Sequence, residues 1–326
     1  MSAPQLVPTR ALGGTGLVLP AVAFGAGPVS ALMTDMLARD RQLATVQAAL
    51  ALGVNWFDTA ATYGNGASET SLGWALRELG AGGMARIATK VRLTAADLDD
   101  IHGAVRRSVE GSLRRLGIGS VALLQLHNAI TGQRDDQPTS ITPADVLRAD
   151  GVLAAFERLR REGLVQHFGL TGLGDAGSLA EVLRANAWAT MQVNLNLCDS
   201  HSALTQGRPE RADRTPALLA IRVFAGGALA GRPPSAHTLA TKFFPLAGYE
   251  RDRRRAAVMQ ALLPAGLSLP EAALRFAVHH QCVTTAIIGF GSAAEVADAA
   301  RWAAHGPLPD ELIAKLTSAG VQSADP

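Results

Sequence analysis

Cysteine is nearly missing from this sequence. Its 326 residues contain two, Cys198 and Cys282, far apart and outside any C-x-x-C spacing. Neither a disulfide framework nor a thiolate zinc site is indicated. The N-terminal stretch MSAPQLVPTRALGGTG lacks a basic segment leading into an apolar one. No run reaches the ~18–20 apolar residues of a membrane span. A reduced, cytoplasmic setting without a membrane partner is expected. Charge of one sign is also lacking: the net charge is +2. No Lys/Arg tract interleaves with aromatics, so nucleic acid is not an expected partner. The single basic run, RDRRR at 251–255, reads as the solvated start of a helix.

What is present is apolar and periodic. Hydrophobic residues make up 48% of the chain, enough for a large core. Short apolar runs predict strands at 21–27, 54–59, 86–91, 121–127, 165–172, 190–197, 219–226 and 283–290. VALLQLH at 121–127 is apolar almost throughout, as a strand covered on both faces should be. Between the strands, apolar residues recur at helical spacing. Leu43, Val46 and Leu50 form one such face, and Leu72, Ala75, Leu76 and Leu79 another. The second face lies in a helix predicted over 68–79 with Ser68 as its N-cap. Further helices are predicted over 97–116, 145–163, 176–186, 268–280, 293–304 and 309–319.

Eight strands alternating with helices predict an α/β fold of the (β/α)8 barrel type, one domain over residues 1–326. Three long segments, 128–144, 198–217 and 227–250, break the rhythm. Each follows a strand, so each is expected as a loop at the C-terminal mouth, where barrels of this type build their sites.

The strand ends carry chemistry. NWFDTAATYGNGASETSLG (55–73) ends its apolar run on Asp58 and delivers Tyr63 five residues later in a small-residue loop. The next strand ends on Lys90 and the one after on His127. Lys90 interrupts an apolar strand, and a buried ammonium needs a partner; Asp58 is the expected one. An ammonium beside a phenol favours the phenolate and so brings the phenol proton within reach of catalysis. The cluster therefore predicts a proton donor, Tyr63, with His127 orienting a bound carbonyl oxygen and no metal required. Taken singly, each residue has a bland reading: a structural ion pair, a hydrogen-bonded histidine, a packed tyrosine. Their placement on three successive strand ends favours the joint one.

The motif G-V-N-W-F-D-T-A-x-x-Y-G-x-G-x-S-E-x-x-L-G (53–73), the T-K of 89–90 and the L-L-Q-L-H of 123–127 resemble the aldo-keto reductase family, and the likeness covers nearly the whole chain. The resemblance implies a catalytic tetrad of Asp58, Tyr63, Lys90 and His127. It also implies hydride transfer between NADP(H) or NAD(H) and an aldehyde or ketone, or the reverse oxidation of an alcohol or sugar. The cofactor contacts it implies begin with Gly25 and Ala26 in AVAFGAG, Asp58 itself, and Thr171 and Gln192 at the carboxamide. They continue with Arg222, Phe224 and Gly226 in IRVFAGGALAG, and Gly289, Ser292, Glu295 and Asp298 in IIGFGSAAEVADA.

Three departures stand out. Gly172 occupies a position where the family has asparagine, and Ile221 one where it often stacks a tyrosine. Gly291, Ser292 and Glu295 occupy the junction where many relatives grip the 2′-phosphate of NADP with Arg or Lys. Phosphate prefers a bidentate arginine, so NAD stays open beside NADP, with Arg222 as a possible source of charge. Two other functions stay open as well: a Schiff-base lyase acting through Lys90, and a non-enzymatic NAD(P)-binding sensor or channel-type subunit.

Overall fold

The computed structural model describes residues 6–200, 216–241 and 245–322. The chain opens with an antiparallel hairpin, β1 (Thr9–Ala11) and β2 (Val18–Pro20), which the sequence pattern did not predict. The barrel strands follow: β3 (Val22–Gly25), β4 (Trp56–Asp58), β5 (Arg86–Val91), β6 (Val121–Leu126), β7 (Val165–Thr171), β8 (Thr190–Asn194), β9 (Ala217–Ile221) and β10 (Val283–Gly289). They close in the order β10-β3-β4-β5-β6-β7-β8-β9, every pair parallel. The predicted (β/α)8 barrel is the fold.

Helices pack around it: α1 (Arg39–Ala51), α2 (Ala67–Glu78), α3 (Ile101–Leu116), α4 (Pro143–Leu147), α5 (Val152–Arg161), α6 (Ala176–Leu183), α7 (Ala236–Ala240), α8 (Leu246–Ala261), α9 (Leu269–Val278), α10 (Ala293–Ala304) and α11 (Asp310–Gln322). Two cores result. The larger lies between strands and helices and includes Phe24, Phe57, Leu124, Phe156 and Phe168. The smaller fills the barrel: Leu12, Leu19, Ala23, Trp56, Ala88, Ala122, Leu123, Leu219 and Ile287. Small alanines on neighbouring strands make room for Trp56. Leu12 and Leu19 come from the hairpin, so the hairpin plugs the N-terminal end. Arg10 fixes it there through hydrogen bonds to the carbonyls of Val278 (2.6 Å), the last residue of α9, and Val283 (3.0 Å), the first of β10.

Several boundaries differ from the sequence reading, each for a local reason. The strand expected over 219–226 ends at Ile221, because Arg222 turns out of extended backbone (φ 55°) into a 3-10 turn over Ala225–Ala230. The helix expected over 145–163 is two, α4 and α5. Gly151 between them packs so closely that a Cβ there would lie 2.6 Å from the Asp145 carbonyl oxygen. The cap of α2 is Gly66 (φ 89°), not Ser68. Ser68 lies in the first turn, where its hydroxyl donates to the Ala26 carbonyl and bonds the Thr59 hydroxyl, both at 2.8 Å. The run RDRRR lies within α8 rather than at its start, and two of its residues, Asp252 and Arg255, are buried. The segment 227–250 carries α7 and the start of α8, so it is not wholly loop. Residues 201–215 and 242–244 of the expected loops lie outside the described residues. Among the described residues no helix is long and apolar enough to cross a membrane.

Candidate active site

Strand alternation builds the site. Side chains two residues apart on a strand share a face. Trp56, Ala88 and Leu123 face the barrel interior, so Asp58, Lys90 and Gln125 face it one layer higher. Gln192 on β8 joins them. Four polar side chains thus form a layer on top of an apolar plug.

The layer is tied together by one carboxylate. Asp58, 3% exposed, accepts a hydrogen bond from the Lys90 ammonium at Oδ1. Its Oδ2 accepts from the side-chain amides of Gln125 (2.9 Å) and Gln192 (2.7 Å). A carboxylate is an acceptor only, so both glutamines present their NH2 groups to it. Lys90, 1% exposed, directs its remaining donors to the Thr59 carbonyl (2.9 Å) and the Tyr63 hydroxyl (3.0 Å). Burial pulls its pKa down, but Asp58 and Tyr63 outweigh burial and hold the ammonium above its ordinary value.

Tyr63 is brought over the layer by the turn between β4 and α2. Its N–H donates to the Ala60 carbonyl at 3.1 Å. Its ring rests on Gly27, where a Cβ would lie 3.6 Å from it, and meets the His127 ring edge-on at a centroid distance of 5.7 Å. His127 is 9% exposed. Burial first, then the charges of Lys90 and Arg92, hold its pKa well below the ordinary 6.5, so the imidazole is neutral. The Thr62 hydroxyl stands 3.4 Å from its Nδ1. Behind the site, buried Glu69 accepts from the Thr89 hydroxyl (2.5 Å) and Arg115 Nε (2.7 Å), which ties α2 to β5 and α3.

Of the residues expected to touch a cofactor, Gln192 reaches the tetrad. Thr171, next to it across β7 and β8, donates to the Leu126 carbonyl at 3.2 Å. Gly25 pairs in register with Asp58, and a Cβ on it would come 3.0 Å from the Ile287 side chain. The Ala26 N–H donates to the Asp58 carbonyl at 2.8 Å. Arg222, Phe224 and Gly226 lie in the turn after β9, and burial draws the Arg222 pKa down against the pull of Asp252 and Asp199. Ser292 caps α10, its hydroxyl accepting from the Glu295 N–H at 3.4 Å. Glu295 pairs with Arg232 and accepts from the Gly291 N–H at 2.8 Å. Gly289 packs beside Ser30, and Asp298 pairs with Arg301 at 2.6 Å farther along α10, apart from the tetrad.

The sequence reading missed three contributors. Gln125 had a signal, an amide inside the apolar run LLQLH. Arg92 had one too, since it lies two positions past Lys90. Its Nη2 reaches to 3.5 Å from the His127 carbonyl. Arg232 had none: it meets Glu295 across 63 positions of sequence.

A family model described as the Aldo/keto reductase family matches residues 22–320. L-Galactose dehydrogenase of Arabidopsis thaliana is 29% identical over 292 residues, covering 88% of this chain and 85% of the relative. D-threo-Aldose 1-dehydrogenase of a Pseudomonas species is 27% identical over 333 residues, covering 95% and 96%. A solved aldo-keto reductase from Klebsiella pneumoniae in complex with NADPH superposes with a TM-score of 0.68 at 22% identity, covering 97% of this chain and 94% of that one.

Proposed function

The chain belongs to the aldo-keto reductase family, and from that premise we propose that it transfers hydride between NADP(H) or NAD(H) and a carbonyl–alcohol pair, with Tyr63 trading the proton. One observation carries the reading: the Lys90 ammonium joins Asp58 and Tyr63 at a single buried point.

The donor set suits a nicotinamide dinucleotide. Gln192 offers an amide beside Asp58 on the floor of the mouth. At the start of α10, the Gly291 N–H and the Arg232 guanidinium form a pair of donors fit for an anion, and the carboxylate of Glu295 occupies them. Gln192 and Thr171 would hold the carboxamide, while Arg222, the glycines of 226–227 and Ser292 would hold the remainder. Bound there, the nicotinamide supplies or accepts the hydride.

The protein's own part is the proton. In reduction, Tyr63 gives its hydroxyl proton to the carbonyl oxygen as the carbon gains hydride, and the alcohol results. The charge left on the phenolic oxygen lies 3.0 Å from the Lys90 ammonium, whose donated hydrogen bond stabilises it. Asp58 keeps that ammonium charged and fixed. His127 is neutral, and when its Nδ1 accepts from Thr62 its Nε2 carries the hydrogen, a donor for the carbonyl oxygen. In oxidation the same groups run in reverse. A lysine held as an ammonium has no lone pair for a carbonyl carbon, which weighs against a Schiff-base lyase. The relatives named for L-galactose and D-threo-aldose make aldoses the first substrates to try.

The test is a panel of aldoses, aldehydes and ketones with both cofactors, followed by nicotinamide absorbance in wild type and Tyr63→Phe. Loss of about 10²–10⁴ in turnover is expected, the usual worth of general acid–base catalysis. Near wild-type turnover in Tyr63→Phe would remove it from the mechanism. No turnover by wild type of any carbonyl would leave the binding-subunit reading in place.

A further inference from the structure

We propose that Asn196 is a positioning residue that holds the turn after β9 in the shape that receives the cofactor, a role that rests on the cofactor reading of that turn.

The turn needs holding. Between Arg222 and Gly227 the backbone is left-handed at Arg222 (φ 55°), Ala225 (φ 48°), Gly226 (φ 70°) and Gly227 (φ 106°). Glycine adopts this region freely, whereas arginine and alanine crowd their Cβ against the backbone there. Such a conformation persists only where its surroundings over-determine it.

The hold comes from the segment after β8. Asn196 is 3% exposed and lies two residues past the end of that strand. Its Oδ1 accepts from the N–H groups of Cys198 (2.9 Å) and Asp199 (3.0 Å). With the oxygen committed to two donors, the amide nitrogen is turned the other way. Its Nδ2 donates to the Arg222 carbonyl at 3.0 Å. That carbonyl also accepts from the Ala225 N–H at 2.7 Å. One of its hydrogen bonds closes the turn, and the other ties the turn to a second segment.

Asn196 is itself fixed. Its backbone N–H donates to the Asp199 carbonyl at 3.1 Å, and its carbonyl accepts from the Asp199 N–H at 3.0 Å. Buried Arg255 of α8 donates to the Cys198 carbonyl at 3.2 Å and stands 3.8 Å from Asp252. The basic run of 251–255 therefore anchors the segment that carries Asn196. The bond to Arg222 passes that anchorage to the turn, so binding is spared the cost of ordering it.

Two substitutions separate the halves of the amide. Asn196→Asp keeps both accepted bonds and loses the donor, and Asn196→Ala loses all three. The first readout is hydrogen exchange in the cofactor-free protein at Ala225 and at Gly227, whose N–H donates to the Phe224 carbonyl at 2.9 Å. The second is affinity for NADPH and NADH by tryptophan fluorescence, at about pH 8, where a carboxyl is ionised. Both variants should exchange faster at the two amides. Both should bind the cofactors about twofold to tenfold more weakly than wild type, the worth of one hydrogen bond. Asn196→Asp is also compared with wild type at high salt, which screens a charge effect but not a lost donor. A weakening that salt abolishes, or one confined to Asn196→Ala, overturns the proposal. So does unchanged exchange in Asn196→Asp, which needs no cofactor to be read. Variants that bind as wild type does overturn the role of Asn196 and leave the oxidoreductase reading standing. A wild type that binds neither cofactor overturns the cofactor reading of the turn, and this role with it.

Discussion

Lys90 directs its three N–H bonds to a carboxylate, a backbone carbonyl and a phenol, and each does a different job. The carboxylate keeps it charged, the carbonyl fixes its direction, and the phenol receives the benefit. Lys90→Met leaves Asp58 buried without a cation, a loss of about 3–5 kcal/mol when one partner of a buried pair is removed. Asp58→Asn in the same background should recover much of that stability in urea unfolding and none of the hydride-transfer rate; a double variant that regains turnover would separate Tyr63 from the ammonium. Glu295 makes a second case. It neutralises Arg232 and occupies the Gly291 N–H, so Glu295→Gln should free both for the 2′-phosphate and tighten NADP binding by about tenfold or more relative to NAD, as charged hydrogen bonds allow. Fluorescence titration of both cofactors checks this. A wild type that already binds NADP far more tightly would mean that other groups hold the phosphate. His127 carries a pH signature. Folded, it resists protonation; unfolded, it takes a proton near the ordinary value of about 6.5. Its contribution to stability is therefore present above that pH and lost as pH falls below it, by about 1.4 kcal/mol per pH unit. Urea unfolding from pH 7 to 5 should show that slope as the difference between wild type and His127→Gln.

The elements were legible in proportion to how locally they are determined. All eight barrel strands could be read, because a strand covered on both faces is a short apolar run, and a charged or amide residue breaking such a run marks the mouth. Asp58, Lys90 and His127 were found in this way. The division of α4 from α5 was hidden: Val152, Phe156 and Leu159 mark one helical face within the predicted 145–163, and the break comes from the close approach of Gly151 to Asp145. The cap of α2 was misread because Ser68 is a good capping residue whose hydroxyl is instead used across the turn, on Ala26 and Thr59. The Arg232–Glu295 pair could not be read at all, since it needs the parallel pairing of β9 with β10 to bring the segments that follow them together.

For the molecule as a whole, the hairpin plug matters as much as the site. Leu12 and Leu19 are fully buried against Trp56 at the closed end of the barrel. Leu12→Ala should cost about 2–5 kcal/mol, the usual loss for an emptied core position, measured by urea unfolding. It acts at the end remote from Tyr63, so turnover at temperatures where the variant is folded should hold; a large fall in turnover with stability intact would mean that the plug also positions the polar layer above it.

Closure has a consequence for how the chain is made. β3 pairs with β10, Ala23 beside Ile287, and Arg10 bonds the carbonyls of Val278 and Val283. During synthesis the ribosome delivers β3 long before β10. Until residue 289 has left the exit tunnel, the nascent sheet keeps two unpaired edges and the N-terminal arginine has no carbonyls to hold. The growing chain therefore carries open strand edges, the usual template for aggregation, through most of its translation, and its need for chaperone cover ends with the arrival of a single seven-residue strand.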